Sequence, residues 1–272
     1  MTYFGVLVTF ILPPLLSLWI VVPRDLWAHL AGRRDALNWM PYISVFVHVL
    51  IALAYTTPWD NYLVANGVWW YDPALVSGLT IGWVPIEEYT FFIVQTLLTG
   101  IWTVGVLRWN KKPPLAATIR PGVRVWSSLM VGLMWVLSTI VLIFGWAPGR
   151  YLTLILSWAL IPVLIQLTFG GDILLAYWRP LLPAILVPTL YLWWVDSLAI
   201  TSGTWTIDPA QTTGWMVGSL PIEEMIFFGI TNLMISFGVT LLSAEESTKR
   251  FAALLTSIRK WSDDGRYSSA SQ

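Results

Sequence analysis

The eight residues Pro85-Ile86-Glu87-Glu88-Tyr89-Thr90-Phe91-Phe92 open an apolar run that continues to Leu107 without another charge. At a distance of 136 positions, Pro221-Ile222-Glu223-Glu224-Met225-Ile226-Phe227-Phe228 opens a second run, which continues to Ser243. A stretch of ~20 apolar residues is what a helix needs to cross a bilayer. Carboxyl groups at such a place are costly, so they face a cavity, a partner or a functional path. The fold therefore reads as a membrane bundle in which one acidic motif occurs twice.

Outward from the motifs the repetition persists. Residues 60–100 and 196–236 align without a gap, matching Asp60 with Asp196, Gly67 with Gly203, Trp69 with Trp205, Asp72-Pro73-Ala74 with Asp208-Pro209-Ala210, and Gly82 with Gly218. Fifteen of those forty-one positions are identical, so duplication is the economical explanation.

Composition supports the same class. Of 272 residues 57% are hydrophobic and 11% charged, a balance that a water-soluble domain cannot hide in its own core. The 19 tryptophans outnumber the 15 Lys and Arg, and such rings gather at headgroup level. Equal numbers of acidic and basic side chains leave no polybasic face, which argues against nucleic acid as a partner. Without cysteine there is no disulfide, thiolate metal site or Cys nucleophile.

Seven spans are expected, at about Tyr3–Val22, Trp39–Thr57, Leu79–Leu107, Val125–Ala147, Tyr151–Gly171, Leu181–Ile200 and Gly214–Ser243. Residues 3–22 lack a basic leader and a cleavage site, so they read as a retained helix. The prolines at 13, 14, 162, 183 and 188 predict kinks, since neighbouring helices can satisfy the freed carbonyls. Fourteen of the fifteen basic residues fall after odd-numbered spans and only Arg150 on the other side, which predicts an external or lumenal N-terminus and a cytoplasmic C-terminus. The fold class is all-α: a polytopic protein with two parallel three-helix repeats, 1–108 and 150–243, a linking transmembrane helix within 109–149, and a cytoplasmic tail, 244–272. Parallel repeats imply a pseudo-two-fold axis along the membrane normal, which sets both glutamate pairs at one depth.

The paired carboxyl groups carry the chemistry. In the opening turn of a helix, free amides and the dipole favour an anion, and Pro85 and Pro221 suit the position just inside a helix start. Removal from water favours the neutral acid, and a second carboxyl alongside strengthens that, so such a pair can keep a proton to donate. Glu87 lies one turn from Phe91 and Glu88 one turn from Phe92, with Phe227 and Phe228 standing likewise to Glu223 and Glu224. Aromatic faces stabilise cations, a carbocation included. Trp69, Trp70, Trp83, Trp205 and Trp215 are near enough in sequence to extend the lining, although Trp69 and Trp205 read equally as interfacial anchors. Asp60 and Asp196 read either as capping acids or as groups that orient the glutamates.

These residues resemble a known family, the membrane carotenoid cyclases that act on lycopene, of the heterodimeric bacterial type and its fused archaeal and fungal forms. The resemblance is carried by Thr57-Pro58-Trp59-Asp60, Asn66-Gly67, Trp69, the two Pro-Ile-Glu-Glu motifs with their phenylalanine pairs, Trp194-Val195-Asp196, Trp205 and Thr231-Asn232-Leu233. It implies cyclisation of lycopene to β-ionone rings without net redox change: an acid protonates the terminal alkene, the internal alkene closes the ring, and a base removes a ring proton. On that reading Glu87, Glu88, Glu223 and Glu224 are the candidate acids and bases, Asp60, Asp196, Pro85 and Pro221 support them, and Phe91, Phe92, Phe227, Phe228, Trp69, Trp205 and Asn232 meet the substrate. The partners implied are lycopene and other hydrophobic carotenoids, with membrane lipid around them. No Asp-rich prenyltransferase motif follows, so a fused phytoene synthase is not expected.

No G-x-G-x-x-G occurs, so no dinucleotide or flavin cofactor is expected. His29 and His48 are too few and scattered for a metal site, and no metal is expected. Every lysine lies outside the spans, which argues against a retinal Schiff base. The alternatives are a proton-coupled transporter, a carotenoid-binding protein, and a cyclase making ε rings or acting on longer carotenoids. Transporters of that design favour inverted repeats and helices interrupted at the midplane, whereas these repeats are parallel and their acids lie near one face.

Overall fold

The computed structural model describes residues 1–23, 38–110 and 120–256. Among them are seven helices long and apolar enough to span a bilayer. They are α1 (Tyr3–Val21), α2 (Met40–Ala65), α3 (Ile86–Trp109), α4 (Pro121–Ile143), α5 (Arg150–Ala176), α6 (Trp178–Thr201) and α7 (Ile222–Ser243). The chain is a polytopic membrane protein. α3 and α7 are the most enclosed helices, while α4 presents nearly its whole surface outward and rests on α5.

Two spans are shorter than the hydropathy implies. Residues 79–85 and 214–221, expected inside the third and seventh spans, form hairpins instead. β2 (Thr80–Ile81) pairs with β3 (Val84–Pro85), and β5 (Met216–Val217) with β6 (Leu220–Pro221). Each has a two-residue loop led by a glycine at positive φ, Gly82 at 68° and Gly218 at 64°, as the tight hairpin turns require. The all-α reading thus omits six short strands. The remaining pair joins the two halves: β1 (Trp69–Tyr71) runs antiparallel to β4 (Trp205–Ile207), with Trp70 opposite Thr206. Flanking bonds run from Asp72 N to Thr204 O and from Asp208 N to Val68 O. Asp72 and Asp208 also each accept the amide two residues on, so the repeated Asp-Pro-Ala motif is a turn.

Residues 136 apart meet again in the core, where Gln95 Nε2 donates to Thr231 Oγ1 at 3.2 Å. Below it Thr99 donates to Asn232, Asn232 to Thr189, and Thr103 bonds Ser236, tying α3 to α7 and α6. Threonine and asparagine do this because hydrocarbon offers polar groups no water.

The prolines act through their neighbours. Pro14 leaves the Phe10 carbonyl without its helical donor, and Tyr191 of α6 supplies one. Pro162 frees the Trp158 carbonyl, and Tyr55 of α2 supplies that one at 2.8 Å. A π turn at Leu7–Ile11 precedes Pro13 and Pro14, and the departure from helical backbone in α5 lies at Gly170. Residues 245–256 are helical and reach back to α5, where Arg250 pairs with buried Asp172 at 2.8 Å. The tail beyond 256 and the expected basic residues 24, 33, 34, 111 and 112 lie outside the described residues.

Candidate active site

The starts of α1, α3, α5 and α7 and the ends of α2 and α6 meet at one end of the bundle, roofed by the paired strands. Arg108 and the Arg250–Asp172 pair lie at the opposite end. Under the roof is a narrow cavity of about 50 Å³, and Glu88, Glu224, Asp60 and Asp196 all line it. Among the described residues its walls contain no Lys, Arg or His.

The two members of each glutamate pair face different ways, because neighbours on a helix are about 100° apart. Glu88 Oε2 accepts the Tyr3 hydroxyl at 2.6 Å and the Tyr71 hydroxyl at 3.0 Å. Glu224 Oε1 accepts the Tyr151 hydroxyl at 2.5 Å. Burial first, then the neighbouring Glu88 and Asp60 carboxyl groups, push the Tyr71 phenol well above its ordinary value of 10.0, which keeps it a donor. Glu87 and Glu223 lie outside the cavity and turn to the roof. Glu87 Oε1 accepts the Ser77 amide, and Glu223 Oε1 the Thr213 amide and hydroxyl, both at 2.7 Å.

Among the described residues Asp60 is the least satisfied of these carboxyl groups. Neither carboxyl oxygen of buried Asp60 has a protein partner; Asp196 Oδ1 accepts Trp205 Nε1 at 3.0 Å, and its Oδ2 has none. Buried polar atoms without a protein partner are rare. Pro85 and Pro221 end the hairpins and cap α3 and α7 with extended backbone, setting the following glutamates in the first turn.

All four phenylalanines, Phe91, Phe92, Phe227 and Phe228, line the cavity, as do Trp69 and Trp205. Trp70, Trp83 and Trp215 are 46%, 68% and 75% exposed and contribute no lining. Asn232 is buried among its threonine partners, away from the cavity. Sequence reasoning missed Tyr3, Tyr151 and Tyr71. The first two had a signal: Tyr3 to Pro14 and Tyr151 to Pro162 share a spacing, but at an offset of 148 instead of 136.

The lycopene cyclase family model matches residues 2–105 and 149–242, leaving α4 outside. A lycopene beta-cyclase of Halobacterium salinarum is 40% identical over 200 residues, 73% of this chain and 81% of the relative. Bifunctional lycopene cyclase/phytoene synthases are similar over about a third of their own length. That of Phycomyces blakesleeanus is 37% identical over 69% of this chain and 32% of the relative, and that of Aspergillus oryzae 36% over 78% and 37%. No solved structure matches the chain. With the family model covering both acidic motifs, their roofs and the tyrosine-bearing helices, the chain belongs to the lycopene cyclase family.

Proposed function

We propose that this protein cyclises the ψ ends of lycopene to β-ionone rings by proton transfer from and to its own carboxyl groups. The observation that carries the reading is the meeting of Glu88 and Glu224, with Asp60 and Asp196, in one aromatic-walled cavity whose lining, among the described residues, has no basic side chain. Glu224, held by one phenol, gives its proton to the terminal alkene. The internal alkene then attacks the cation to close the ring, and Glu88 takes the ring proton. Two phenol donors on Glu88 suit the carboxylate that a base must present. Glu88 then gives that proton up to water and Glu224 takes one from water, so the carboxyl groups are reset and substrate and product are isomers. Phe91, Phe92, Phe227 and Phe228 stabilise the cation with their faces. Glu87 and Glu223 act as positioning residues by holding the roof.

The duplication supports a reading as two parallel three-helix units, 1–108 and 150–243, joined by α4 and building one site between them. The arginines at the far end of the bundle support a site end that is external or lumenal and a cytoplasmic C-terminus.

Purified protein in lipid, incubated with lycopene in heavy water, should form ringed products carrying one deuterium per ring by mass spectrometry. Unchanged lycopene with folded protein would refute the assignment. Chromatography against β- and ε-ring standards, and against longer carotenoids, decides ring type and substrate length.

A further inference from the structure

The carboxyl cavity, at about 50 Å³, is smaller than the ~150 Å³ that holds a benzene ring in a protein core. A ring-forming end does not fit there alone. A second cavity of about 400 Å³ adjoins it between α2, α3, α5 and α7, large enough for an ordinary ligand site. Phe92 and Phe227 line both cavities.

A file of aromatic rings runs through the boundary. Trp59 stacks on Trp158 with centroids 4.5 Å apart and planes 17° apart, and on Phe227 at 5.8 Å and 6°. Tyr55 continues the stack beyond Trp158 at 5.6 Å and 18°. The polar edges of Tyr55 and Trp59 are spent on the carbonyls of Trp158 and Leu154, which leaves the faces apolar. Gln95 and Gln166 likewise spend amide N–H groups on Thr231 and the Met234 carbonyl, although Gln166 Oε1 has no protein partner. Parallel rings favour offset contact with another flat π system.

The cavity's rim faces the hydrocarbon: Ile51 and Ile165 line it and are 51% and 65% exposed. α2 and α5 each pack on α7, and they meet each other through the Tyr55, Trp59 and Trp158 side chains rather than by close approach of their backbones. The pseudo-symmetric side of the bundle differs. The positions equivalent to Trp59 and Trp158 are Val195 and Phe10, and Phe10 turns its edge to Trp194 of α6 at 5.4 Å and 86°.

We propose that this second cavity is a polyene-binding site, which admits the carotenoid laterally from the bilayer between α2 and α5. It lays the conjugated chain along the Tyr55, Trp158 and Phe227 rings and passes its end by Phe92 and Phe227 to the carboxyl cavity, where Trp59 continues the stack. The inference rests on the cyclase reading for the identity of the ligand. It adds that substrate is held on one side of the bundle, by helices of both repeats, one end at a time.

The test is Ala52→Trp, which fills the cavity from α2, beside Val187→Trp on the outer face of α6 as its control. Lycopene is achiral, so its binding is read from induced visible circular dichroism, on E88Q/E224Q chains in lipid nanodiscs that do not consume it. Ala52→Trp should weaken binding roughly tenfold or more, while Val187→Trp leaves it unchanged. In chains with both glutamates intact, Ala52→Trp should raise KM by a similar factor. Ala52→Leu, a smaller filling, gives an intermediate effect and serves if the tryptophan variant does not fold. Unchanged binding and KM in folded Ala52→Trp and Ala52→Leu would overturn the site, whether or not rings form. Binding that Ala52→Trp weakens, in a wild type that forms no rings, would uphold the cavity and overturn the cyclase reading instead.

Discussion

Tyr3 donates its hydroxyl to Glu88 across 85 residues of chain, at 2.6 Å. The first ordered turn of the protein is thereby part of the carboxyl cavity, and Tyr151, which opens α5, stands in the same relation to Glu224. A hydrogen bond to a charged group contributes about 1.5–3 kcal/mol, roughly 10- to 150-fold in rate. Tyr3→Phe leaves Tyr71 on Glu88 and should lower kcat less than tenfold, whereas Tyr3→Phe with Tyr71→Phe together should reach that range. Initial rates of ring formation check both; equal rates in the double variant and wild type would show that the phenols are not needed.

The division within each glutamate pair makes a sharper expectation. Glu88→Gln and Glu224→Gln should abolish normal turnover. Glu87→Gln and Glu223→Gln keep an oxygen for the Ser77 and Thr213 amides and should retain activity within about tenfold. Rates for the four single variants, with thermal stability beside them, decide it. A Glu223→Gln chain that folds but is as inactive as Glu224→Gln would contradict the positioning role.

Acid and base can be told apart by product. Without the base, a cation that still forms loses its proton from another neighbouring carbon, so residual product of Glu88→Gln should carry a displaced ring double bond. Glu224→Gln should give no rings of either kind. Chromatography of long incubations reads the difference, and unaltered β rings from Glu88→Gln would remove it from the base role.

Arg250 caps buried Asp172, which among the described residues also accepts the amides of Arg120 and Ile173. Arg250→Ala strands part of that charge and should cost about 2–3 kcal/mol, read as a lower midpoint of unfolding in detergent. Asp172→Asn with Arg250→Ala should recover part of the loss. Recovery of none would mean that the tail helix matters for its apolar contacts alone.

Topology is directly measurable because the natural chain has no cysteine. A single cysteine at Arg150 should react with an impermeant maleimide from the external or lumenal side, and one at Ala252 from the cytoplasmic side. The reverse pattern would invert the orientation.

Much of the fold was legible in local sequence. Run length and charge located seven helices, since a bilayer imposes one scale on every span. The hairpins at 80–85 and 216–221 were read as helix because their residues are apolar and only Gly82 and Gly218 mark the turns. Tyr3 and Tyr151 escaped for a different reason. The connection between the first two helices is longer in the first half than in the second, and this shifts the offset from 148 to 136.

The sequence alone determined that the protein is a membrane bundle, that an acidic motif occurs twice within it, and that this motif and its neighbours resemble the lycopene cyclases. All of this is written in composition, run length and spacing. Which glutamate of each pair enters the cavity, which phenols reach it, and that Tyr55, Trp158, Trp59 and Phe227 form one stack were decided only by tertiary structure. A single helix offers its residues in every direction around its axis, and its neighbours fix which direction is inside. The two repeats share a pattern but not all their side chains, so the difference between Trp59 and Val195 acquires meaning only where Trp59 stacks on Trp158 beside a cavity.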